Sequence, residues 1–425
     1  MTVPADGGRR LKVLILDESI PYPPNSGKTS RTWNLLRRLA SRHSVCILCY
    51  GYPNAPGTAE IEKVGIDLRL VEPRPNLTGW RLYWHLFLNL FSPFPFSVAK
   101  HYSSNFQRQL DELLKEDSWD LIQVEWTPYA RFITHTPKTP VLMATHNVES
   151  QIWARRAEYT ANPFAKVFFR TQEWKMRRFE KWALLRVSAA TAVTNLDLST
   201  LRNWGVTNVN LVSNGVDLAR YSPTPGAERE EELLFLASLD WYPNQDALGY
   251  FVKNILPAVR ERRPGAKLRI VGRKPPESVS KQYSGLPGIE FVGEVKEVGS
   301  HLDRATVIIV PLRIGGGSRI KILEALAAGK AVISTTIGAE GLDVISGEHL
   351  LIADSPAAFA GGIEELLGST QLRRRLGANG RNLVAARYGW DQIAIRLETI
   401  WYDVSENQTA LGTVPLSPLG LKATQ

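Results

Sequence analysis

The chain has 425 residues, 44% hydrophobic and 22% charged, which is ordinary globular composition and long for one core. Lys and Arg outnumber Asp and Glu by 51 to 42, and the resulting formal charge of +9 favours anionic partners. Phosphorylated small molecules and an acidic membrane face lead these; nucleic acid is set aside, because no RNA- or DNA-binding signature accompanies the charge.

The N-terminus MTVPADGGRRLKVLILDES carries no signal-peptide pattern, since its apolar run is short and ends at Asp17 and Glu18. No apolar stretch reaches the roughly eighteen residues that span a bilayer. A cytoplasmic protein is expected, either soluble or peripheral at the inner face of the membrane.

LKVLIL reads as the first strand, followed by the loop Ser26-Gly27-Lys28 and the helix SRTWNLLRRLASRH. Small residues there let backbone N–H groups approach a phosphate or an acceptor closely. The loop is no P-loop, because G-x-x-x-x-G-K-[ST] needs a glycine where Tyr22 stands. SVCILCY is the next strand and holds both cysteines, Cys46 and Cys49. Core thiols are the expected reading over a zinc or redox pair, as no second ligand pair exists.

Trp80–Phe96, WRLYWHLFLNLFSPFPF, breaks the rhythm with aromatic residues, and so does the basic segment PFAKVFFRTQEWKMRRFEKWALLR from Pro163. Each reads either as a helix with one core-facing stripe or as an interfacial surface that meets lipid. WDLIQVE, VLMATH, AATAVT and VNLVSNGVD complete the strands of the first half. His146 ends VLMATH, where ligands gather in such sheets, with Asn147 and Glu149 beside it.

After the linker YSPTPGAEREEE come LLFLASL, KLRIVG, IEFVG, TVIIVP and AVISTT, again with helices between. Near-continuous apolar strands alternating with helices predict parallel sheets covered on both faces. The fold class is therefore α/β: two doubly wound Rossmann-like domains facing across a cleft, residues 1–215 and 216–388. A helix over 389–404 packs on or crosses between them, and 405–425 is expected to be a disordered tail.

GGGSRIKILEALAAGKAVISTTIGAEGL, Gly315–Leu342, reads as a glycine-rich turn, a helix, a buried strand and a second glycine-rich turn. Exposed N–H groups of Gly315, Gly316, Gly317 and Ser318, with Arg319 and Lys321, suit a diphosphate, while Glu324 offers acceptors to ribose hydroxyls. Gly338, Glu340, Gly341 and Leu342 form the second turn, and Arg273 follows KLRIVG within reach of a nucleotide. The chain contains no D-x-D triplet and no His/Cys cluster, so neither metal nor cofactor is expected.

In order and spacing these segments resemble the GT-B glycosyltransferases called glycosyl transferases group 1, or glycosyltransferase family 4. PYPPNSGKTSRTWNLLRRLASRHSV resembles the family's opening, with Ser26-Gly27 standing for Gly-Gly; THNVES resembles a cleft-facing loop and SNGVD the interdomain hinge. LDWYPNQDALGYFVKNILPAVRERRPGAKLRIVG, FVGEV and Gly315–Leu342 follow the family nearly in register. The resemblance implies a nucleotide-sugar donor, a saccharide or lipid-linked acceptor, retention of configuration, and polysaccharide or glycolipid synthesis.

It also implies that Glu324 is the second glutamate of an E-x7-E motif, binding ribose, and that His146 and Lys321 serve the reaction. Two departures stand out. Gly316 occupies the place of the first glutamate, and Ser238 and Asn244 lie where many relatives carry an Arg and a Lys against the diphosphate. These departures keep open a catalytically weak relative that binds nucleotide-sugar or scaffolds a complex; a sugar-nucleotide epimerase of the same fold is a more distant alternative. An anionic membrane surface is a further expected partner, and the sequence leaves the oligomeric state open.

Overall fold

A computed structural model describes residues 9–406 except 25, 76, 117, 134–137, 161, 225, 227 and 315–319. The expected tail, beyond Glu406, falls outside the described residues. The chain forms two units, one running to Val212 and resuming at Ile393, the other spanning Ser213–Gln392.

The first unit is built on β1 (Lys12–Leu16), β2 (Ser44–Tyr50), β3 (Asp67–Val71), β4 (Leu121–Val124), β5 (Val141–Ala144), β6 (Ala189–Ala192) and β7 (Val209–Leu211). They lie in the order β3-β2-β1-β4-β5-β6-β7, every pair parallel. The central strands are buried on both faces, as their unbroken apolar runs require. β3 escaped the sequence reading because it is an edge strand whose Asp67 and Arg69 interrupt the apolar pattern. Both cysteines of β2 are buried, and burial raises the Cys46 thiol to about 12, so neither is a reactive thiolate.

The second unit repeats the plan with β8 (Glu232–Ser238), β9 (Lys267–Arg273), β10 (Ile289–Gly293), β11 (Val307–Val310), β12 (Val332–Ser334) and β13 (Leu351–Ile352), ordered β10-β9-β8-β11-β12-β13. β13, only two residues long, carries no period that a sequence could display. In each sheet the order reverses once, between β1 and β4 and between β8 and β11. The crevice at the carboxyl end of such a switch point is where ligands bind in open α/β sheets.

The helix Gly79–Phe91 departs from the core-stripe reading. Among its residues only Asn89 is buried, while Trp80 and Phe91 are 73% and 77% exposed. Polar tethers hold it in place of an apolar seam. Lys175 Nζ donates to the carbonyls of Asn89 (2.6 Å) and Leu90 (3.0 Å), closing the helix C-terminus, and Gln172 Nε2 donates to Asn89 Oδ1 at 2.9 Å. Both tethers come from the helix Pro163–Leu184, which starts on Asn162 as its cap.

In the second unit the helix Thr370–Arg387 backs the helix Ile320–Ala327, which carries Lys321 and Glu324. The approach is close because Gly377 lies on the carbonyl of Gly329, leaving no space for a β-carbon. Gly377→Ala is expected to cost about 1–3 kcal/mol by overpacking, read as a lower midpoint in chemical denaturation. An unchanged midpoint would show that this contact does not set the helix's position.

Candidate functional site

At the switch point of the first sheet, Asp17 and Glu18 follow β1, Glu125 follows β4 and His146 lies just past β5. Ser26 caps the helix Gly27–Leu39: its hydroxyl accepts from Thr29 N–H at 3.2 Å while Ser26 N–H donates to Thr29 Oγ1 at 3.0 Å. Gly27 is the first helical residue. The ammonium of Lys28 turns inward, 2.5 Å from Asp17 Oδ1 and 3.1 Å from Glu18 Oε1. Burial works against that charge, and the two carboxylates outweigh it and raise the lysine. Lys28 is thus neutralised within the protein before any phosphate arrives.

Asp17 is pushed up to about 6 by burial, against the pull of Lys28. For Glu125, burial also acts upward, but the His146 hydrogen bond and charge, together with Arg31, hold it at about 2. His146 Nε2 lies 3.0 Å from Glu125 Oε2. Beside them Glu149 Oε1 accepts from Trp126 Nε1 at 3.0 Å, and burial raises this carboxyl to about 7. Glu180 accepts the N–H groups of Glu149 (2.7 Å) and Ser150 (3.0 Å) at the start of the helix Glu149–Tyr159, and burial lifts it to about 8.

The second sheet gathers cations at its switch point. Ser238 ends β8 and Asn244 lies in the first turn of the helix Tyr242–Tyr250, joined by a hydrogen bond from Asn244 Nδ2 to the Ser238 carbonyl at 2.8 Å. Arg273, at the end of β9, donates from Nε and Nη2 to Ser238 Oγ at 3.2 and 3.1 Å. Lys321 Nζ donates to Asn244 Oδ1 at 2.9 Å. One turn on, Glu324 Oε1 accepts from Tyr221 Oη at 2.9 Å. Burial raises Glu324, opposed by Tyr221, Arg220 and Lys321.

Arg273, Lys321 and Glu324 therefore stand around one turn, while Gly315, Gly316, Gly317, Ser318 and Arg319 lie outside the described residues. In the second glycine turn, Gly338 is closed in by its own sheet: a β-carbon there would come 2.6 Å from the Val310 carbonyl. Gly341 has φ 85°, a backbone that glycine supplies freely, and it turns the chain between Glu340 and the half-buried Leu342. Tyr221 and Glu125 escaped the sequence reading, since their partners lie 103 and 21 residues away and no motif marks them.

Two family models match the chain: "Glycosyl transferase 4-like domain" over residues 26–215 and "Glycosyl transferases group 1" over residues 230–369. A phosphatidyl-myo-inositol mannosyltransferase of Mycobacterium tuberculosis is 29% identical over 216 residues, 46% of this chain and 54% of that protein. The chain thus spans about half the length of the curated relatives it first matches. Sucrose-phosphate synthase of Thermosynechococcus elongatus shares the fold with a TM-score of 0.71 at 18% identity, covering 93% of this chain and 99% of that one. HepE of Anabaena in complex with UDP-glucose shares it at 0.68 and 12%, covering 93% and 100%.

The raised Glu149 carboxyl has a signed consequence. Its pKa is higher folded than unfolded, so its contribution to stability is full below the unfolded value of 4.5 and is lost as pH rises through about 7. Glu149→Gln keeps an acceptor for Trp126 and cannot ionise. The melting temperature of the wild type relative to this variant should fall as pH rises from about 4.5 to about 7. A difference that stays constant with pH would mean that Glu149 is not held protonated.

Proposed function

The chain belongs to the group 1 glycosyltransferases of GT-B fold, and from that premise we propose that it moves a sugar from a nucleotide-sugar donor to a saccharide or lipid-linked acceptor, with retention and without a metal. The carrying observation is the gathering of Arg273 and Lys321 on Ser238 and Asn244. Those two residues stand where the family resemblance expects Arg and Lys, and the cations that reach them come from β9 and from the helix Ile320–Ala327. The charge owed to a departing diphosphate is thereby supplied from neighbouring elements.

In this reading Glu324 accepts from the ribose hydroxyls, with Tyr221 holding one carboxylate oxygen in place. Lys321 and Arg273 stabilise the negative charge that grows on the leaving diphosphate, which is electrostatic catalysis by preset groups. His146 meets a sugar hydroxyl from the first unit's sheet edge. The relatives' names include mannosyl transfer to a phosphatidyl-inositol, and a structural neighbour holds UDP-glucose; both favour a hexose donor and glycolipid or polysaccharide synthesis.

A panel of UDP-, GDP-, ADP- and dTDP-sugars with membrane extract as acceptor tests this. One donor should bind and release its nucleotide, and Lys321→Gln should slow release on the order of a hundred-fold. Glu324→Ala should weaken nucleotide binding by about 1–3 kcal/mol. If no donor binds, the enzyme reading fails. Binding without release would favour the second reading, a nucleotide-sugar-binding or scaffolding protein, for which Gly316 in place of the first motif glutamate is the specific support.

The acceptor side points to an anionic membrane. No helix among the described residues is long and apolar enough to cross one. The helix Gly79–Phe91 exposes Trp80, Tyr83, Trp84, Phe87 and Phe91, and the helix Pro163–Leu184 exposes Phe164, Val167 and Trp174 beside Lys166 and Arg170. No acidic residue occurs between Pro73 and Leu110. Aromatic rings with basic neighbours suit the headgroup layer of an anionic bilayer. The protein should sediment with phosphatidylserine vesicles at low salt and lose this on Trp84→Ser with Phe87→Ser. Equal recovery with neutral vesicles, or none with either, would remove the membrane from the proposal.

A further inference from the structure

The last helix, Trp390–Glu406, is wired from Ile393 onward into the first unit. Glu398 Oε1 lies 2.8 Å from both His43 Nε2 and Arg42 Nε, and Tyr402 Oη donates to the Arg9 carbonyl at 3.1 Å. The fully buried Trp401 ends a polar chain that leads to the candidate site. Its indole Nε1–H donates to Gln123 Oε1 at 2.6 Å, and Gln123 Nε2 in turn donates to Glu125 Oε1. Glu125 Oε2 then faces Thr32 Oγ1 at 3.2 Å and His146 Nε2 at 3.0 Å.

The indole fixes the first two bonds of this chain, and the ionised Glu125 fixes the last. An indole nitrogen can only donate, so Gln123 must turn its carbonyl oxygen to Trp401. Its amide nitrogen, the donor end, is then left facing Glu125. Glu125 is 2% exposed and ionised, an acceptor at both oxygens, so each group against it must donate. The nitrogen of His146 that faces it therefore carries the proton. Nδ1 has no hydrogen-bond partner among the described residues.

We propose that Trp401, Gln123 and Glu125 are positioning residues that fix His146 as the Nε2–H tautomer and so present Nδ1 as an acceptor for a sugar hydroxyl. The catalytic use of that nitrogen rests on the reading of His146 given above; the tautomer itself does not. A neutral imidazole is either acceptor or donor at a given nitrogen, and the partner of the other nitrogen decides which. With the tautomer reversed, Nδ1 would offer a proton where a lone pair is required.

The test is the tautomer itself, read by long-range ¹H–¹⁵N correlation on the full chain with labelled histidine. Spectra are taken at a pH where the ring is neutral, and the signal is assigned by its loss in His146→Gln. The wild type should show Nε2 protonated and Nδ1 bare. Glu125→Gln, whose amide can donate to Nε2, should move the ring toward Nδ1–H. Trp401→Phe keeps an aromatic ring and removes only the donor, so Gln123 can turn its oxygen toward Glu125. Two facing acceptors favour a protonated Glu125 that donates to Nε2, and a mixture of tautomers is expected, which serves if Glu125→Gln fails to fold. Glu125→Asp, which remains an acceptor, should restore the wild-type tautomer.

Transfer should slow about a hundred-fold in Glu125→Gln with the donor KM little changed. Bare Nε2 in the wild type, or a tautomer that ignores both Glu125→Gln and Trp401→Phe, overturns the proposal. A tautomer that moves while transfer does not would overturn the catalytic use of Nδ1. Neither outcome touches the transferase reading, which stands or falls on donor binding and nucleotide release.

Discussion

Parallel pairing is the constraint on which the rest depends. A parallel strand can be reached only by a crossover along one face of the sheet, so every loop that follows a strand opens at the same edge. Both sheets obey this throughout, and each reverses its order once. Chemistry-bearing side chains scattered over more than a hundred residues are thereby delivered to two edges: Asp17, Glu125 and His146 to one, Ser238, Arg273 and Lys321 to the other. The loops need carry little information of their own, because the sheet's connectivity has already chosen where they meet.

The two edges differ in how their charge is settled. In the first unit Lys28 lies between Asp17 and Glu18, and Glu125 is held by His146 and Arg31. In the second unit Arg273 meets a serine hydroxyl and Lys321 an asparagine amide oxygen, both neutral acceptors. Both contacts are made to neutral groups, and Lys321 also acts on the buried Glu324 carboxyl, against the burial that raises it.

What was legible in the sequence was whatever local pattern controls. Apolar runs such as LKVLIL and TVIIVP must be covered on both faces, and they became the central strands β1 and β11. β3 was hidden because an edge strand is polar on alternate residues, and β13 because two residues cannot show a period. Lys28 was visible as a cation, but the inward turn of its side chain depends on where β1 leaves Asp17 and Glu18. The links from Tyr221 to Glu324 and from Trp401 to Gln123 join residues 103 and 278 positions apart, and only the fold defines them. Glu324 was found because the family's motif marks it, whereas Glu125 lies in an ordinary strand end with no such mark.

The helix Gly79–Phe91 inverts the usual arrangement, and its energetics say why it persists. Seven of its large apolar side chains are exposed, from Trp80 to Phe91, and each forgoes about 1.5–3 kcal/mol that burial would have supplied. What holds the helix is polar: the buried Lys175 ammonium on two C-terminal carbonyls, and the Gln172–Asn89 pair. Burial lowers Lys175, so even this tether is made against a desolvation cost. A sequence shaped by folding stability alone would have turned the aromatic face inward and placed the tethering groups in water. Instead the fold fixes the C-terminal end of the helix and leaves its face free, so the composition of that face answers to whatever covers it in use.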